Sequence, residues 1–207
     1  IRIGLIGCGG RGTGAIRQAL NADANTKLVA MADAFEPRLE KSLKSLNVTD
    51  VADKVAVEKD KQFIGLDAYK KLLATDVDVV LLTTPPVFRP VHLKAAIEAG
   101  KHVFAEKPVA VDVAGVESVL RTSRLAEEKG LLVVSGLQTR YEPTTQELVQ
   151  RIHEGVIGDI VAMRTTRYGA HGWTRAREPG MTDVAYQVNN WYHFTWVSGD
   201  FIAEQFV

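Results

Sequence analysis

Short apolar runs alternate with amphipathic segments along the first part of the chain. The runs IRIGLIG, TKLVAMAD, VDVVLLTTPP, KHVFAEKP and LLVVSG are each typical of a buried β-strand. Between them, RPVHLKAAIEAG and the stretch from Asp112 to Gly130 carry apolar residues at helical spacing, with Asp112 placed to cap its helix. Roughly five or six strands alternating with helices predict a doubly wound, mostly parallel α/β sheet over residues 1–136.

The pattern changes after Gly136. A predicted helix containing Leu148, Val149 and Ile152 leads into the alternating stretch IGDIVAMRTTRYG, which predicts a strand. A polar loop rich in Gly, Pro and Arg follows, and the chain ends in the aromatic-rich stretch YQVNNWYHFTWVSGDFIAEQFV. Because a single strand needs partners to form a stable sheet, we expect residues 137–207 to be the incomplete start of a second domain.

Composition narrows the classes of partner. The 207 residues include 25 basic and 25 acidic side chains in an even mixture, which predicts neither a nucleic-acid partner nor a membrane surface. No apolar run approaches the length of a membrane span. Cys8 is the only cysteine and has no partner for an internal disulfide. The five histidines show no ligand spacing, so no metal site is expected.

The glycines that follow the first run point to a phosphate ligand. Gly7, Gly9 and Gly12 form G-x-G-x-x-G where a strand turns into a helix, and free N–H groups there favour a pyrophosphate. The alternative is a tight turn without a ligand. Asp33 ends the second strand, 21 residues past Gly12, where a carboxylate accepts ribose hydroxyls and repels a 2′-phosphate. This spacing favours NAD over NADP, although Asp33 could also cap the next helix.

Further polar residues are predicted at the same edge of the sheet. TTPP at residues 83–86 and EKP at residues 106–108 both follow apolar strands, and ligands of open α/β sheets bind at the carboxyl ends of strands. Lys107 could donate to a substrate hydroxyl and stabilise the alkoxide that develops there. The alternative for Lys107 is an exposed lysine in an ion pair with Glu106.

Five motifs together carry a family resemblance. GLIGCGGRG, Asp33, TTPP, AAIEAGKHVFAEKPVAVD and RY-P, in this order and spacing, resemble the glucose–fructose oxidoreductase, inositol dehydrogenase and MocA (Gfo/Idh/MocA) family. The aromatic-rich end is similar to a bacterial, often exported, carbohydrate-related branch. The resemblance implies a Rossmann domain over residues 1–136 and, from residue 137, an α+β domain with an open antiparallel sheet. It also implies a homo-oligomer through that second domain, and it leaves periplasm and cytoplasm both open.

The resemblance also assigns site residues. Those implied to bind NAD are Gly7, Gly9, Gly10, Arg11, Gly12, Asp33, Thr83, Pro85, Glu106, Lys107 and Gln138. Lys107 would in addition match the catalytic lysine of the family. Those implied to bind a carbohydrate are Arg140, Tyr141, Trp191, Tyr192 and His193. The alternative for the aromatic residues is core packing of one helix that buries Trp191, Phe194 and Trp196.

The expected activity is that of the family. The resemblance implies an NAD-dependent oxidoreductase that transfers hydride between the nicotinamide and a secondary hydroxyl of a sugar, polyol or glycoside. Glu204 matches an acidic residue that stands four positions before the family's acid/base histidine. That histidine would directly follow Val207, so the sequence is expected to be cut short. Two alternatives stay open: an NAD-dependent glycosidase working by oxidation, elimination and reduction, and a catalytically silent dinucleotide-binding module.

Overall fold

Six parallel strands form one sheet in the computed structural model, which describes residues 1–169 and 172–206. The spatial order of the strands is β3-β2-β1-β4-β5-β6, so the doubly wound parallel sheet is confirmed. The strands are β1 (Arg2–Ile6), β2 (Lys27–Asp33), β3 (Gln62–Ile64), β4 (Val79–Leu82), β5 (His102–Ala105) and β6 (Val133–Ser135).

Helices connect the strands and continue beyond the sheet. They are α1 (Gly10–Ala22), α2 (Glu36–Leu46), α3 (Ala68–Leu73), α4 (Arg89–Glu98), α5 (Val113–Glu128), α6 (Pro143–His153), α7 (Asp183–Asn189), α8 (Thr195–Ser198) and α9 (Asp200–Gln205). The predicted cap of α5 is confirmed, because the Asp112 carboxylate accepts the Gly115 N–H at 2.6 Å. Short 3-10 turns at Gln138–Tyr141 and Trp191–His193 flank α6 and α8.

Both faces of the central strands β1 and β4 are buried. Ile6 and Leu82 belong to one apolar cluster, whereas Leu5 and Leu81 belong to another, as expected when successive side chains of a strand point to opposite faces. Parallel sheets covered on both faces have strands that are apolar at nearly every position. This is why the strands could be recognised from uninterrupted apolar runs.

Two strand assignments differ from the sequence prediction. The strand predicted within residues 157–169 is wrong, because the described residues 160–169 have no regular secondary structure. No neighbouring strand is present among residues 137–169 and 172–206 to pair with it, and unpaired backbone groups do not sustain a strand. Conversely, the edge strand β3 was not predicted, because three residues are too few to show a periodic pattern.

The aromatic-rich end is not one helix. It divides into the turn Trp191–His193, α8 and α9, and Gly199 ends α8 in the left-handed conformation with φ 76°. The alternative in which one helix buries Trp191, Phe194 and Trp196 is therefore wrong: Trp196 is 46% exposed, and Trp191 and Phe194 are half-buried. Val197 and Ser198 of α8 are buried, and α8 contacts the 3-10 turn Pro86–Phe88 that follows β4.

Candidate active site

A cavity of about 1080 Å³ opens between the carboxyl ends of the strands and the segment that follows residue 136. It brings together side chains and turns from both parts of the chain. The predicted site residues that line it are Gly7, Gly9, Gly10, Arg11, Gly12, Asp33, Thr83, Pro85, Glu106, Lys107, Gln138, Arg140 and Trp191. A volume of this order is sufficient for a dinucleotide and a small substrate to lie side by side.

The glycine loop forms a tight turn that is open toward the cavity. Gly7 has φ 100°, which side chains rarely tolerate, and its N–H donates to the Ala32 carbonyl at 2.8 Å. A Cβ atom on Gly12 would lie 2.0 Å from the Gly7 carbonyl oxygen, whereas one on Gly10 would meet no atom within 4 Å. Gly9 caps α1 without a side-chain hydrogen bond, so the first N–H groups of α1 are available to a phosphate. The loop therefore fits a pyrophosphate.

Asp33 joins the glycine loop to the start of α2. One carboxylate oxygen accepts the Cys8 N–H at 2.6 Å, and the other accepts the Phe35 N–H at 2.9 Å. Burial raises the pKa of Asp33, against the opposing effect of these two hydrogen bonds. Its side chain therefore fixes the turn before α2, but Phe35 is the N-cap of that helix, so the alternative in which Asp33 caps it is wrong. Asp33 also lies in the cavity wall where a ribose is expected.

Arg11 and Glu106 form an ion pair across the cavity. The Arg11 guanidinium contacts the same Glu106 carboxylate oxygen through Nη2 at 2.6 Å and Nε at 2.8 Å. Glu106 is buried, whereas about half of the Arg11 side chain is exposed. The alternative pairing of Glu106 with Lys107 is therefore wrong, because Arg11 takes that carboxylate.

Lys107 contacts the last described helix instead. Its ammonium donates to the main-chain carbonyl of Glu204 and lies 3.4 Å from the Glu204 carboxylate. Burial raises the pKa of Glu204, and the neighbouring Lys107 opposes that shift. Glu204 thus lies beside Lys107, although 97 positions separate the two residues in the sequence.

Arg89 is a buried cation that the sequence analysis did not identify. Its guanidinium donates to the Leu82 carbonyl at 2.7 Å and the Thr84 carbonyl at 2.8 Å, so it holds the loop that follows β4. Its Nε has no hydrogen-bond partner in the part of the chain that the structure describes. Burial lowers the pKa of Arg89 to about 10, and the nearby carboxylates of Glu106 and Glu204 favour its charged form.

His92 lies under the same loop. Its Nδ1 is 3.2 Å from the Thr84 hydroxyl, and its ring stacks on Phe88 with centroids 5.9 Å apart and contacts Tyr69 at 4.3 Å. Burial, followed by the charge of Arg89, lowers the pKa of His92 to about 3. The imidazole is therefore neutral near pH 7. The contact between His92 and Thr84 could not be predicted from the helical pattern of α4, because it depends on how the loop after β4 folds.

Three predicted substrate residues lie outside the main cavity. Tyr141 is 57% exposed on the turn before α6. Tyr192 and His193 line a smaller cavity of about 250 Å³, which shares Glu204 with the larger one. The Tyr192 hydroxyl accepts a hydrogen bond from Gln205, and His193 Nε2 is 2.8 Å from the Trp173 carbonyl. Their assignment to a substrate stays a prediction.

Neither a membrane-spanning helix nor a metal-binding cluster occurs among the residues that the structure describes. Across residues 1–169 and 172–206, no helix has the length and apolarity needed to cross a membrane. The same residues contain no cluster of three or more His, Cys, Asp or Glu side chains that could bind a metal ion.

The strand order, the glycine turn at the end of β1 and the cavity at the sheet edge define a dinucleotide-binding Rossmann domain. Residues 1–137 match the model of an oxidoreductase family with an NAD-binding Rossmann fold. The chain belongs to this family, Gfo/Idh/MocA, and the resemblance seen in the motifs is confirmed.

Curated relatives act on sugars and polyols. The chain is 30% identical over 161 residues to dTDP-3,4-didehydro-2,6-dideoxy-alpha-D-glucose 3-reductase from Actinomadura kijaniata, covering 77% of this chain and 43% of that protein. It is 27% identical over 186 residues to inositol 2-dehydrogenase from Rhizobium meliloti, covering 90% and 48%. The chain thus spans less than half the length of these relatives.

Solved structures agree with this family assignment. A 3-ketoreductase from Actinomadura kijaniata in complex with NADP matches with a TM-score of 0.59 at 30% identity, covering 77% of this chain and 45% of that one. A scyllo-inositol dehydrogenase from Lactobacillus casei, bound to NAD(H) and scyllo-inositol, matches with a TM-score of 0.60 at 25% identity, covering 77% and 42%.

Proposed function

We propose that this protein is an NAD-dependent oxidoreductase that transfers hydride between the nicotinamide and a secondary hydroxyl of a sugar or polyol. The observation that carries the proposal is the convergence of Lys107 and Glu204 in the cavity that also contains the open glycine loop. Membership of an oxidoreductase family and relatives that act on inositol and a keto sugar support it.

The proposed cofactor site is built from the carboxyl ends of five strands, β1, β2, β4, β5 and β6, and the segments that follow them. The N–H groups at the start of α1 would bind the pyrophosphate, and Arg11 would lie over it while still paired with Glu106. Asp33 would accept from the adenosine ribose at the end of β2. When bound, NAD supplies the hydride acceptor for oxidation of the substrate. Thr83, Pro85 and Gln138 would line the path toward the reacting end.

Lys107 would act on the substrate oxygen. A lysine ammonium has three N–H donors, and the Lys107 ammonium contacts the main-chain carbonyl and the carboxylate of Glu204. A substrate oxygen entering beside Lys107 could accept a hydrogen bond and be stabilised as it gains negative charge. The buried Arg89 adds positive charge behind the loop after β4. Its hydrogen bonds go to the Leu82 and Thr84 carbonyls and not to Lys107.

The remaining assignments concern the second part of the chain. Arg140 and Trp191 line the cavity and would contact the carbohydrate, since the aromatic face of Trp191 suits the C–H surfaces of sugars. We propose the domain division near Gly136, directly after β6 ends at Ser135. The homo-oligomer through residues 137–207 is also a proposal, and light scattering of the purified protein tests it.

A matched pair of lysine variants tests the function. Nicotinamide absorbance is followed while the protein is incubated with NAD and a panel of inositols, aldoses and keto sugars. Lys107→Met should reduce turnover at least about a hundredfold, as loss of a group that stabilises developing charge does. Lys94→Met should leave turnover unchanged, because Lys94 pairs with Glu98 on the exposed surface of α4.

The alternatives give different readings in the same assay. Release of an aglycone from a glycoside without net change in nicotinamide absorbance would replace the proposal with the redox glycosidase. A protein that includes the expected histidine and binds a dinucleotide tightly, yet turns over no substrate, would favour the alternative of a catalytically silent binding module.

A further inference from the structure

Arg89 occupies a position that does not favour a cation. It is the first residue of α4, where the helix dipole opposes a positive charge, and only 1% of it is exposed. Its Nε donates to no acceptor within residues 1–169 and 172–206, and a buried donor without a partner is costly. Proteins break such rules mainly at functional sites, so the contacts of this guanidinium indicate what it does.

The guanidinium joins the segments that follow two neighbouring strands. Its two terminal nitrogens donate to the Leu82 carbonyl at 2.7 Å and to the Thr84 carbonyl at 2.8 Å, so Arg89 holds the main chain as it leaves β4. The Leu82 carbonyl also accepts the Glu106 N–H at 3.0 Å, at the end of β5. One oxygen therefore links Arg89 to the residue directly before Lys107.

The segment that Arg89 holds also contacts the glycine loop. Thr83 donates through its N–H to the Ile6 carbonyl at 2.9 Å, and its hydroxyl contacts the Ile6 and Gly7 carbonyls. A Cβ atom on Gly7 would lie 2.7 Å from the Thr84 nitrogen, so the two loops are in close contact. The loops after β1, β4 and β5 are thus connected through main-chain groups, and Arg89 donates to two of these groups.

The charge of Arg89 acts on both carboxylates of the cavity. Glu106 pairs with Arg11, and Glu204 contacts Lys107, while the charge of each carboxylate favours the charged form of Arg89. Three cations thus face two carboxylates. Burial raises the pKa of Glu204, and Lys107 and then Arg89 oppose that shift.

We propose that Arg89 is a positioning residue for hydride transfer: it fixes the loop after β4 against the segment Glu106–Lys107, and it places a positive charge behind the Glu204 carboxylate that contacts Lys107. The inference rests on the proposed function. Arg89 would act through these groups and not on the substrate, since its two terminal nitrogens already donate to carbonyls. A misplacement of about 1 Å in the groups that align a substrate slows a reaction by about a hundredfold.

Two substitutions separate the hydrogen bonds of Arg89 from its charge. Arg89→Met removes both, whereas Arg89→Lys keeps the charge but lacks the planar fork that reaches two carbonyls. With NAD and a substrate from the panel, kcat should fall about a hundredfold in Arg89→Met and about tenfold in Arg89→Lys. Calorimetry should show that both variants retain their affinity for NAD, because Thr83 keeps its own hydrogen bonds to the glycine loop.

The dependence of kcat on pH separates positioning from folding. A protonated Glu204 carboxyl no longer forms an ion pair with Lys107, so activity is expected to fall on the acid side. Loss of the Arg89 charge raises the pKa of Glu204 further, so this acid limb should move to higher pH in Arg89→Met and stay in place in Arg89→Lys. Circular dichroism at each pH gives the folded fraction, to which kcat is normalised. Both variants retain the other charged or titratable groups near Glu204, which are Lys107, Glu106, His193 and Asp200.

An arginine on the surface provides the matched control. Arg121 pairs with Glu117 on the exposed side of α5, and Arg121→Met should leave kcat, NAD affinity and the acid limb unchanged. Unchanged kcat in Arg89→Met would overturn the inference. A lowered kcat with an unmoved acid limb and a parallel loss of NAD affinity would also overturn it, in favour of a role in folding alone.

The lysine variant decides the matter if Arg89→Met does not fold. A reduced kcat with retained NAD affinity in Arg89→Lys supports positioning, and an unchanged kcat overturns it. The unsubstituted protein separates this inference from the proposed function. If it turns over a substrate while the Arg89 variants match it, only the inference fails; if it turns over none, the proposed function fails and the inference falls with it.

Discussion

Acid should destabilise this protein through His92. The imidazole is 5% exposed, and its pKa in the folded chain is lowered to about 3, whereas an unfolded histidine titrates near pH 6.5. Below pH 6.5 the unfolded chain therefore binds a proton that the folded chain does not accept. Stability is then lost as the pH falls from about 6.5 toward 3, and it is fully present above that range.

The magnitude follows from this difference in proton uptake. One proton bound only by the unfolded state changes the free energy of unfolding by about 1.4 kcal/mol per pH unit. At pH 5 the loss attributable to His92 is therefore about 2 kcal/mol. That is a substantial fraction of the roughly 5–15 kcal/mol that stabilises a typical domain.

Urea unfolding near pH 7.5, 6 and 5 measures this contribution. The test compares the protein with His92→Asn, whose amide stays neutral throughout, and with His153→Asn on the exposed surface of α6. His92→Asn has a packing cost at every pH, so the readout is the slope of stability against pH rather than its absolute value. Carboxylates such as Asp33 and Glu204 titrate in all three proteins and cancel in the comparison.

The expected result is a smaller loss of stability between pH 7.5 and 5 in His92→Asn, by about 2 kcal/mol, with His153→Asn following the unsubstituted protein. Parallel curves for His92→Asn and the unsubstituted protein would refute the reasoning. They would mean that the folded chain admits a proton to this site, or that water reaches it.

Two substitutions test other parts of the site. Gly12→Ala should destabilise the fold by about 1–3 kcal/mol and abolish dinucleotide binding, because the added Cβ would lie 2.0 Å from the Gly7 carbonyl oxygen. Gly14→Ala has open space around the added Cβ and should stabilise α1 slightly. Thermal unfolding measures the stability of the two variants, and calorimetry measures their dinucleotide binding. Asn190→Ala should cost about 1–3 kcal/mol in urea unfolding, because it leaves the Arg175 N–H and carbonyl without their partner. Unchanged urea stability would exclude a structural role for that amide.

The sheet could be predicted because its signal is local. Each buried parallel strand is apolar at nearly every position, and the turn after β1 depends on glycines that are adjacent in sequence. The carboxyl ends of parallel strands meet at one edge by topology, so residues such as Asp33, Thr83 and Glu106 could be placed together before their side chains were known. The predicted strand within 157–169 failed because alternation indicates a strand only where a partner strand exists.

The missed residues share a different property. Arg89 and Asn190 act through main-chain groups of other segments: Arg89 through the Leu82 and Thr84 carbonyls, Asn190 through both polar groups of Arg175. Any residue type presents such groups, so the sequence of the contacted segment carries no complementary motif. The signal that could have identified both residues is their own chemistry. A guanidinium in a helix that packs against a sheet, or an amide beside an aromatic-rich turn, must find partners once it is buried, and here those partners are the loops that form the cavity wall.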